Sequence, residues 1–578
     1  MKTINFRKIL TLAIALTLLI PLIACSQSTN NTPQGNSQNS SQNNSQPTEG
    51  QSAAEEVTTI TLYPKDANLQ SGLVKGYRGD MFARHGLALD VWAYSDEKTN
   101  AILASGGLPD VMYVSKDNLK TMIESGMVLN LEDHLDKLPN ITGNETLQTA
   151  LNYVREFQSA DTGKLHAIPT TVGSKVLEYG VTKNMLVINW EYYKGIGAPE
   201  FKDQWELIDV MKQMVKAYPQ GEDGIANFGT YLNAGSDTTY WANITQYLKW
   251  FGYEPTHLYY LLETDMVNAK YDSILSKDSK YYEGLKWYNT VLREGLMDPD
   301  SMISDRQTQK AKVDNKHAMV TSGTLQGYGG YQPIYMPNQK LYQESWNSIY
   351  GTDSMLVVNA KSKNIDAALR FINTLADPDA YLEMWGGPEG DLWSVKDGVA
   401  QVREDVVEKY FNREDYPLAS GETTDLWSTP WVIDDTSYKS SYMGPDGNLR
   451  GVRLDRWKEF MDIAYNTDQM NEWRKISGYQ FFVDQVMANN AYHLTSDLDY
   501  IANFASIPED MMKLTLDSLK DVVVNASWKM VYAKTDAEFD SVWDKMVKDA
   551  NDLGAQVVID WRLADLQKAK EIRDSLSK

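Results

Sequence analysis

The chain has 578 residues, with 55 Lys and Arg against 78 Asp and Glu, giving a formal charge of −23. Acids and bases are interleaved without a basic stripe, which argues against nucleic acid and against broad docking on anionic lipid and leaves solubility as the plain reading of the acidic surface. A single cysteine excludes thiol redox chemistry and disulfide staples, while 16 Trp and 34 Tyr form an excess that suits both a core and a site that stacks flat ligand faces.

Residues 1–24 have the order of a secretory signal: Lys2, Arg7 and Lys8, then an apolar run from Ile9 to Ile20. At twelve residues the run is short for a bilayer, which needs roughly twenty. Leu22-Ile-Ala-Cys25 then resembles the lipobox of bacterial lipoproteins, in which the cysteine is acylated and becomes the new N-terminus. An uncut anchor and an ordinary secretory signal are the alternatives. Lipidation of Cys25 implies a chain held at the cell membrane and facing outward. Residues 25–55 are almost wholly Ser, Asn, Gln, Thr, Pro and Gly, a disordered tether with a reach on the order of 30 Å. Roughly 520 residues remain, more than one core usually serves, so two large lobes are expected.

Order begins with a strand at Val57–Leu62, a loop at Tyr63–Asp66 and a helical stretch ending at Gly86. A strand at Leu87–Trp92, a short helix through Asn100–Ala104 closed by Gly106 and Gly107, and a strand at Asp110–Val114 follow. This alternation predicts a parallel sheet covered on both faces, with ligand at the loops leaving strand carboxyl ends: Tyr63–Asp66, Tyr94–Glu97 and Tyr113–Asp117. Downstream, Trp205–Tyr218 reads as an amphipathic helix with Ile208, Met211, Val215 and Tyr218 on its core face. Tyr282–Arg293 reads as a helix stopped at Gly295, Ser354–Val358 as a strand and Ile365–Leu375 as a helix. Asp377-Pro378 reads as an N-cap with proline at the first helical position.

Ala104-Ser-Gly-Gly-Leu-Pro-Asp-Val-Met112 is similar to the "sGdlPDv" segment of extracellular solute-binding proteins of ABC importers, the family of the maltose-binding protein. Gly163-Lys-Leu-His-Ala-Ile-Pro169, Leu186–Trp190 and Tyr193–Pro199 resemble its "GK.yaiP" strand and the segment that crosses to the second lobe. Glu294–Asp300 looks like "eGLidpd", and His317–Gly323 is similar to "GkaAM...g". Trp385-Gly-Gly-Pro-Glu-Gly390 is similar to the "yGieG" turn of the larger LplA-like members. Phe539–Asp544 with Leu553-Gly554 matches their terminal helix. The segment from about Val395 to Ser496 carries no alignable motif.

The resemblance implies a two-lobed α/β fold of the periplasmic-binding-protein type, class II, each lobe a sheet flanked by helices and the two joined by a hinge. The N-lobe would take 56–172 and about 338–384, the C-lobe 173–337 and about 385–578, with crossings near Thr171, Pro337 and Trp385. It implies a receptor, a monomer without cofactor, that captures an oligosaccharide and hands it to the permease subunits of an ABC transporter. Sugar binding asks for aromatic faces and for hydroxyl, amide or charged partners in a partly dry cleft. The loops supply Tyr63, Lys65 and Asp66; Tyr113 and Ser115; Thr170 and Thr171; Asp237, Tyr240 and Trp241; Thr324 and Tyr328; Trp385, Glu389 and Trp393. Ordinary core packing is the competing reading for each aromatic.

His85, His134, His166, His257, His317 and His493 are scattered with no His-x-x-x-His pair, which leaves zinc no foothold. Asp298, Asp300 and Asp305 begin like a calcium loop without its glycine and glutamate. The competing class is a surface-anchored glycoside hydrolase with two carboxylates roughly 5–10 Å apart, and a passive adhesin is a third. No nucleophile elbow, phosphate loop or dinucleotide fingerprint is present.

Overall fold

The computed structural model describes residues 57–64, 71–173, 181–232, 242–304, 306–325, 328–342, 348–351, 354–377, 380, 383–384, 387–391, 393–396, 399–402, 416–419, 423–424, 466–493, 498 and 500–576. The signal and the tether lie outside this set. The chain begins with β1 (Thr58–Tyr63), β2 (Gly72–Leu73), α1 (Gly76–Arg84), β3 (Leu87–Val91), α2 (Asp96–Ser105), β4 (Val111–Ser115), α3 (Lys116–Glu124), α4 (Glu145–Phe157) and β5 (Ile168–Pro169). A second stretch holds β6 (Val181–Asn189), α5 (Gln204–Ala217), α6 (Ala242–Trp250), β7 (Tyr253–Glu254), β8 (Leu262–Asp265), β9 (Lys270–Ser273), α7 (Lys280–Arg293), β10 (Val320–Leu325), β11 (Tyr331–Pro333) and β12 (Leu341–Tyr342). Then come β13 (Ser354–Val358), α8 (Ile365–Leu375), the hairpins β14–β15 (Trp393–Lys396, Val399–Val402) and β16–β17 (Tyr416–Pro417, Thr423–Thr424), α9 (Asp468–Ser477) and β18 (Tyr492–His493). The last helices are α10 (Ile501–Phe504), α11 (Asp510–Val531), α12 (Asp536–Asp552) and α13 (Ala555–Leu576).

The first sheet runs β2-β3-β1-β4-β13-β5. β1 is parallel to β3, Thr58 opposite Leu87, and to β4, Leu62 opposite Val111. The chain therefore passes from β1 to one side and returns to the other, and the strand order reverses between β1 and β4. The β-branched run Thr58-Thr-Ile-Thr suits an extended chain, and Ile60 and Leu62 are fully buried. Ser95 caps α2 by accepting the Lys98 N–H (3.1 Å), and Gly106 closes it in a left-handed conformation. The aspartate of the Gly-Leu-Pro-Asp turn is structural. Thr61 donates its N–H (2.7 Å) and hydroxyl (2.9 Å) to Asp110, and Asp110 returns its N–H to Thr61 Oγ1 (2.9 Å). Asp110 thus clamps β1 to β4 where their pairing starts.

The second region is built differently. β6 is the middle of an antiparallel β10-β6-β11 sheet, and single bridges Phe228–Ala318 and Thr230–Met297 lay a further parallel stretch beside β10. Its core is aromatic: Trp287 packs against Tyr247, Trp250 and Tyr288, and its indole N–H donates to the Gln204 carbonyl (2.7 Å). Asn289 on α7 donates to the carbonyls of Met530, Val531 and Ala533, which fixes the end of α11 to this core. α5 buries Ile208 and Met211 as expected and adds Leu207, Val210 and Met214, while Val215 and Tyr218 are half-buried. After the Phe539 helix, Gly554 takes positive φ and the 22-residue α13 follows, a helix the motif pattern did not announce.

Two segments join the regions side by side. Val172 bridges Ser348 in parallel, Gly173 donates its N–H to the Ser348 carbonyl (3.0 Å), and Ser348 donates to Thr171 O (3.3 Å). Thr171 sits at positive φ. Gly351 does too, and a Cβ there would lie 2.6 Å from Pro169 Cβ, so only glycine fits this close approach. β12 pairs with β18 and Lys340 donates to Trp250 O, whereas β13 already belongs to the first sheet. The chain thus leaves the β12–β18 pairing and enters the first sheet between Tyr342 and Ser354. Asp377 accepts the Ala380 N–H (3.1 Å), the geometry of an N-cap. Glu383 and Met384 remain tied to α1 through Arg84 and Arg78.

Candidate functional site

In an open α/β sheet, loops at strand carboxyl ends bind ligands because no pairing partner covers them, and the reversal point opens a crevice. Here that end belongs to β1, β3 and β4. Tyr63 closes β1 but is fully buried: its hydroxyl donates to the Ser95 carbonyl (2.9 Å), accepts the Ser95 N–H (3.2 Å) and meets Thr99 Oγ1 (2.9 Å). Its ring supports the site from beneath. The faces nearer solvent are its neighbours, half-buried Trp92 and Tyr94, which the sequence places only at a strand end and in a loop. Tyr94 lies 5.8 Å from Tyr63, and Lys98 Nζ stands 5.4 Å over the Trp92 ring and 5.7 Å over Tyr63. Tyr94 donates to Asp96 Oδ1, and that bond pushes its hydroxyl up to about 12. The product is an aromatic platform edged by one ammonium and one carboxylate.

Tyr113 on β4 is buried, its hydroxyl has no hydrogen-bond partner among the described residues, and burial alone raises its pKa well above the ordinary value. Ser115, half-exposed, ends β4 at the start of α3, where its side chain makes no capping bond. Thr170 is buried and donates to the Ser354 carbonyl, so it fastens the crossing, and Thr171 lies at the crossing itself. Glu389 is exposed in the turn 388–391, and Trp393 opens β14. Lys65, Asp66, Asp237, Tyr240, Trp241 and Trp385 fall outside the described residues, as do the side chains of Thr324, Tyr328 and Trp393.

In the second region, the stretch through Thr230 and Tyr231 and the strand β10 run parallel, so Leu232 and Leu325 lie at the same end. Tyr231, which the sequence reading missed, shares a hydrogen bond with Thr321 Oγ1 there (3.0 Å). Arg562 lies 4.1 Å over the Tyr260 ring, and burial raises the Tyr260 hydroxyl pKa against the Arg562 charge.

The arrangement offers rings, hydroxyls and single charges, the means of holding a polyhydroxylated solute. Among the described residues no group of three or more His, Cys, Asp or Glu is placed to hold a metal. Asp298 is buried and already occupied by Lys312 Nζ (2.8 Å) and Gln309 Nε2 (2.6 Å), while Asp305 is outside the described set. No helix among the described residues is long and apolar enough to cross a membrane.

No protein-family model matches the chain, and no curated protein sequence does. Solved structures do. An HMO-binding, ABC-transporter-associated solute-binding protein from Bifidobacterium longum infantis superposes with a TM-score of 0.55 at 18% identity, over 89% of this chain and 99% of that one. The fold is that of the two-domain ABC-transporter solute-binding proteins. The Streptococcus pneumoniae ABC-transporter substrate-binding protein FusA, as an EF-hand mutant with fructo-nystose, aligns over 90% of this chain and 100% of its own, with a TM-score of 0.59 at 16% identity. The alginate-binding protein AlgQ2, in a structure without calcium ion, aligns over 89% and 99% with a TM-score of 0.54 at 14% identity. The α/β, two-lobed class read from the motifs is thus the fold this chain has.

Proposed function

We propose that this protein is an extracellular receptor that captures an oligosaccharide between two α/β lobes and delivers it to the permease subunits of an ABC importer. The reading rests on one observation above the others. Aromatic and hydroxyl side chains gather at the carboxyl ends of β1, β3 and β4, and paired segments at Thr171–Gly173 and Ser348–Gly351 join the two sheet regions. The proteins sharing this fold over nearly its full length include binders of HMO and fructo-nystose. They are binding proteins, and no enzymatic step is assigned to this chain. The N-lobe holds β1–β5 and the β13–Met384 stretch; the C-lobe holds the remainder. Ligand shifts a hinge equilibrium by binding the closed form better. Trp92, Tyr94 and Lys98 join Ser115, Thr171, Trp241 and Trp385 as the residues we assign to the solute. Acylated Cys25 holds the receptor to the outer face of the cell membrane, and its tether gives the jaw freedom to meet the permease.

Calorimetric titration with fructo-, manno- and uronate oligosaccharides tests the reading, with chromatography of the mixture afterwards. Saturable binding with no new product supports it; hydrolysis products would establish the carbohydrate-active enzyme instead, and no binding to any glycan would point to an adhesin. Trp241→Ala and Trp385→Ala are expected to weaken binding with unchanged folding. Cys25→Ala should release the protein from the detergent phase of a two-phase partition.

A further inference from the structure

The segment from Tyr500 to Leu514 links three parts of the molecule and then presents an uncovered apolar face. Asn503 accepts the Tyr153 hydroxyl from α4 on its carbonyl and donates its amide to Gly351 O (3.4 Å), and Phe504 inserts edge-on between Tyr153, Phe157 and Tyr350 at 4.9–5.4 Å. Three residues on, Ser506 donates its N–H to both Asp565 oxygens (3.1 and 2.9 Å) and accepts Arg562 Nη1 (3.0 Å), both residues on α13. The strut is thus bonded to the first region, to a crossing segment and to the C-terminal helices. It therefore couples the position of the C-terminal helices to that of the first region.

Immediately after the strut, Ile507 is 42% exposed, Met511 77% and Leu514 64%. Isolated exposed apolar residues are ordinary. These are not isolated: with 100° per residue, Met511, Leu514, Ser518, Asp521 and Asn525 share one face of α11, and all five are exposed. Asp510 and Asp517 edge the same face, while Lys513 and Lys520 fall on the opposite side and are half-buried. Asp517 is steadied by the Tyr259 hydroxyl (2.9 Å). The N-terminal end of this face is apolar at Ile507, Met511 and Leu514, and Asp510, Asp517 and Asp521 stand around it, so its charge complement is an apolar segment carrying Lys or Arg.

We infer that this face of α11, with Ile507, is where the receptor docks on a basic, apolar extracellular segment of its membrane transporter, and that the strut makes docking sensitive to closure. The inference rests on the receptor reading above, and the experiment separates the two. A photo-crosslinking phenylalanine is placed at Met511 of the full-length chain in the producing cell, with Trp205 on α5 as an exposed control. Light should yield an adduct with an integral membrane protein from position 511 and none from 205, and the adduct should be lost in 1 M salt. An adduct with a second copy of the chain, or none, overturns the inference. Met511→Glu with Leu514→Glu should leave solute affinity and Tm unchanged and reduce uptake at least tenfold; wild-type uptake in that variant also overturns it. A chain that binds no glycan counts against the receptor reading alone, since the crosslink is scored without solute.

Discussion

The two sheet regions reach similar burial by different means. The first rests on register: β1, β3 and β4 are short and pair in parallel, and a polar clamp at Asp110 sets where β1 and β4 begin to pair. The second has one long strand, β6, partnered by fragments, and its order comes from interlocked aromatic rings and a few side chains that reach across hundreds of residues. Asn289 bonds to carbonyls more than 240 positions away. Where backbone pairing organises a region, the local pattern carries the design. Where side-chain packing organises it, the pieces come from distant parts of the chain.

The contrast can be broken in order of expected effect. Trp287→Ala removes the centre of the second core and strands the Gln204 carbonyl, and should cost about 3–5 kcal/mol in urea denaturation. A smaller loss would mean the rings are loosely packed. The next effect is a pH dependence of the second region. Glu263 on β8 is buried and accepts the N–H groups of Lys280 and Tyr281 at the start of α7 (2.8 and 2.9 Å), and burial still pushes its carboxyl up to about 7 from 4.5. A folded-state pKa above the unfolded one means the native state holds the extra proton between these values. The stabilisation is present below about pH 4.5 and is lost as pH rises towards 7, on the order of 3 kcal/mol. Glu263→Gln should flatten that part of the stability–pH curve. His257, driven down to about 3 by burial with help from Arg562, should give the opposite slope, losing stability as pH falls below 6.5.

In the first region, Asp110→Ala should cost about 1–3 kcal/mol, because it leaves the Thr61 N–H without its carboxylate, and slowed exchange of that amide should disappear. If α2 and β4 hold their places without the clamp, register here is set by the hydrophobic pattern alone. The smallest effect on stability should come from Trp92→Ala, whose ring is half-exposed. Tm should move little while solute affinity falls about tenfold, the loss of one stacking face. Unchanged affinity would remove the platform from the site.

Much of the first region could be read in advance. The strand Ser354–Val358 and the helix Ile365–Leu375 have the bounds expected of them, because β-branched and aliphatic periodicity and the flanking turn residues act over a few positions. The site was less readable. Tyr63 follows a strand just as a stacking residue would, yet its hydroxyl is taken by Ser95 and Thr99, and Trp92 and Tyr94 hold the outer position instead. Sequence cannot rank these three rings, since the ranking depends on which face α2 covers. Tyr231 and the α11 face gave no signal either, because exposure follows from what the rest of the chain leaves bare.

By itself, the sequence determined the strand–helix alternation that brings β1, β3 and β4 together in parallel, and the ordered motifs of a solute-binding fold. These are carried by contiguous residues, where chain entropy, turn chemistry and periodicity act locally. Only the tertiary structure decided that β13 joins the first sheet antiparallel to β4, that Gly351 allows two distant segments to touch, that Asp110 is a clamp and that Phe504 packs against Tyr153, Phe157 and Tyr350. Each depends on groups far apart in the chain meeting at a few ångströms. No local pattern encodes such a meeting, because its free energy comes from burial and hydrogen bonds that exist only once the whole chain is folded.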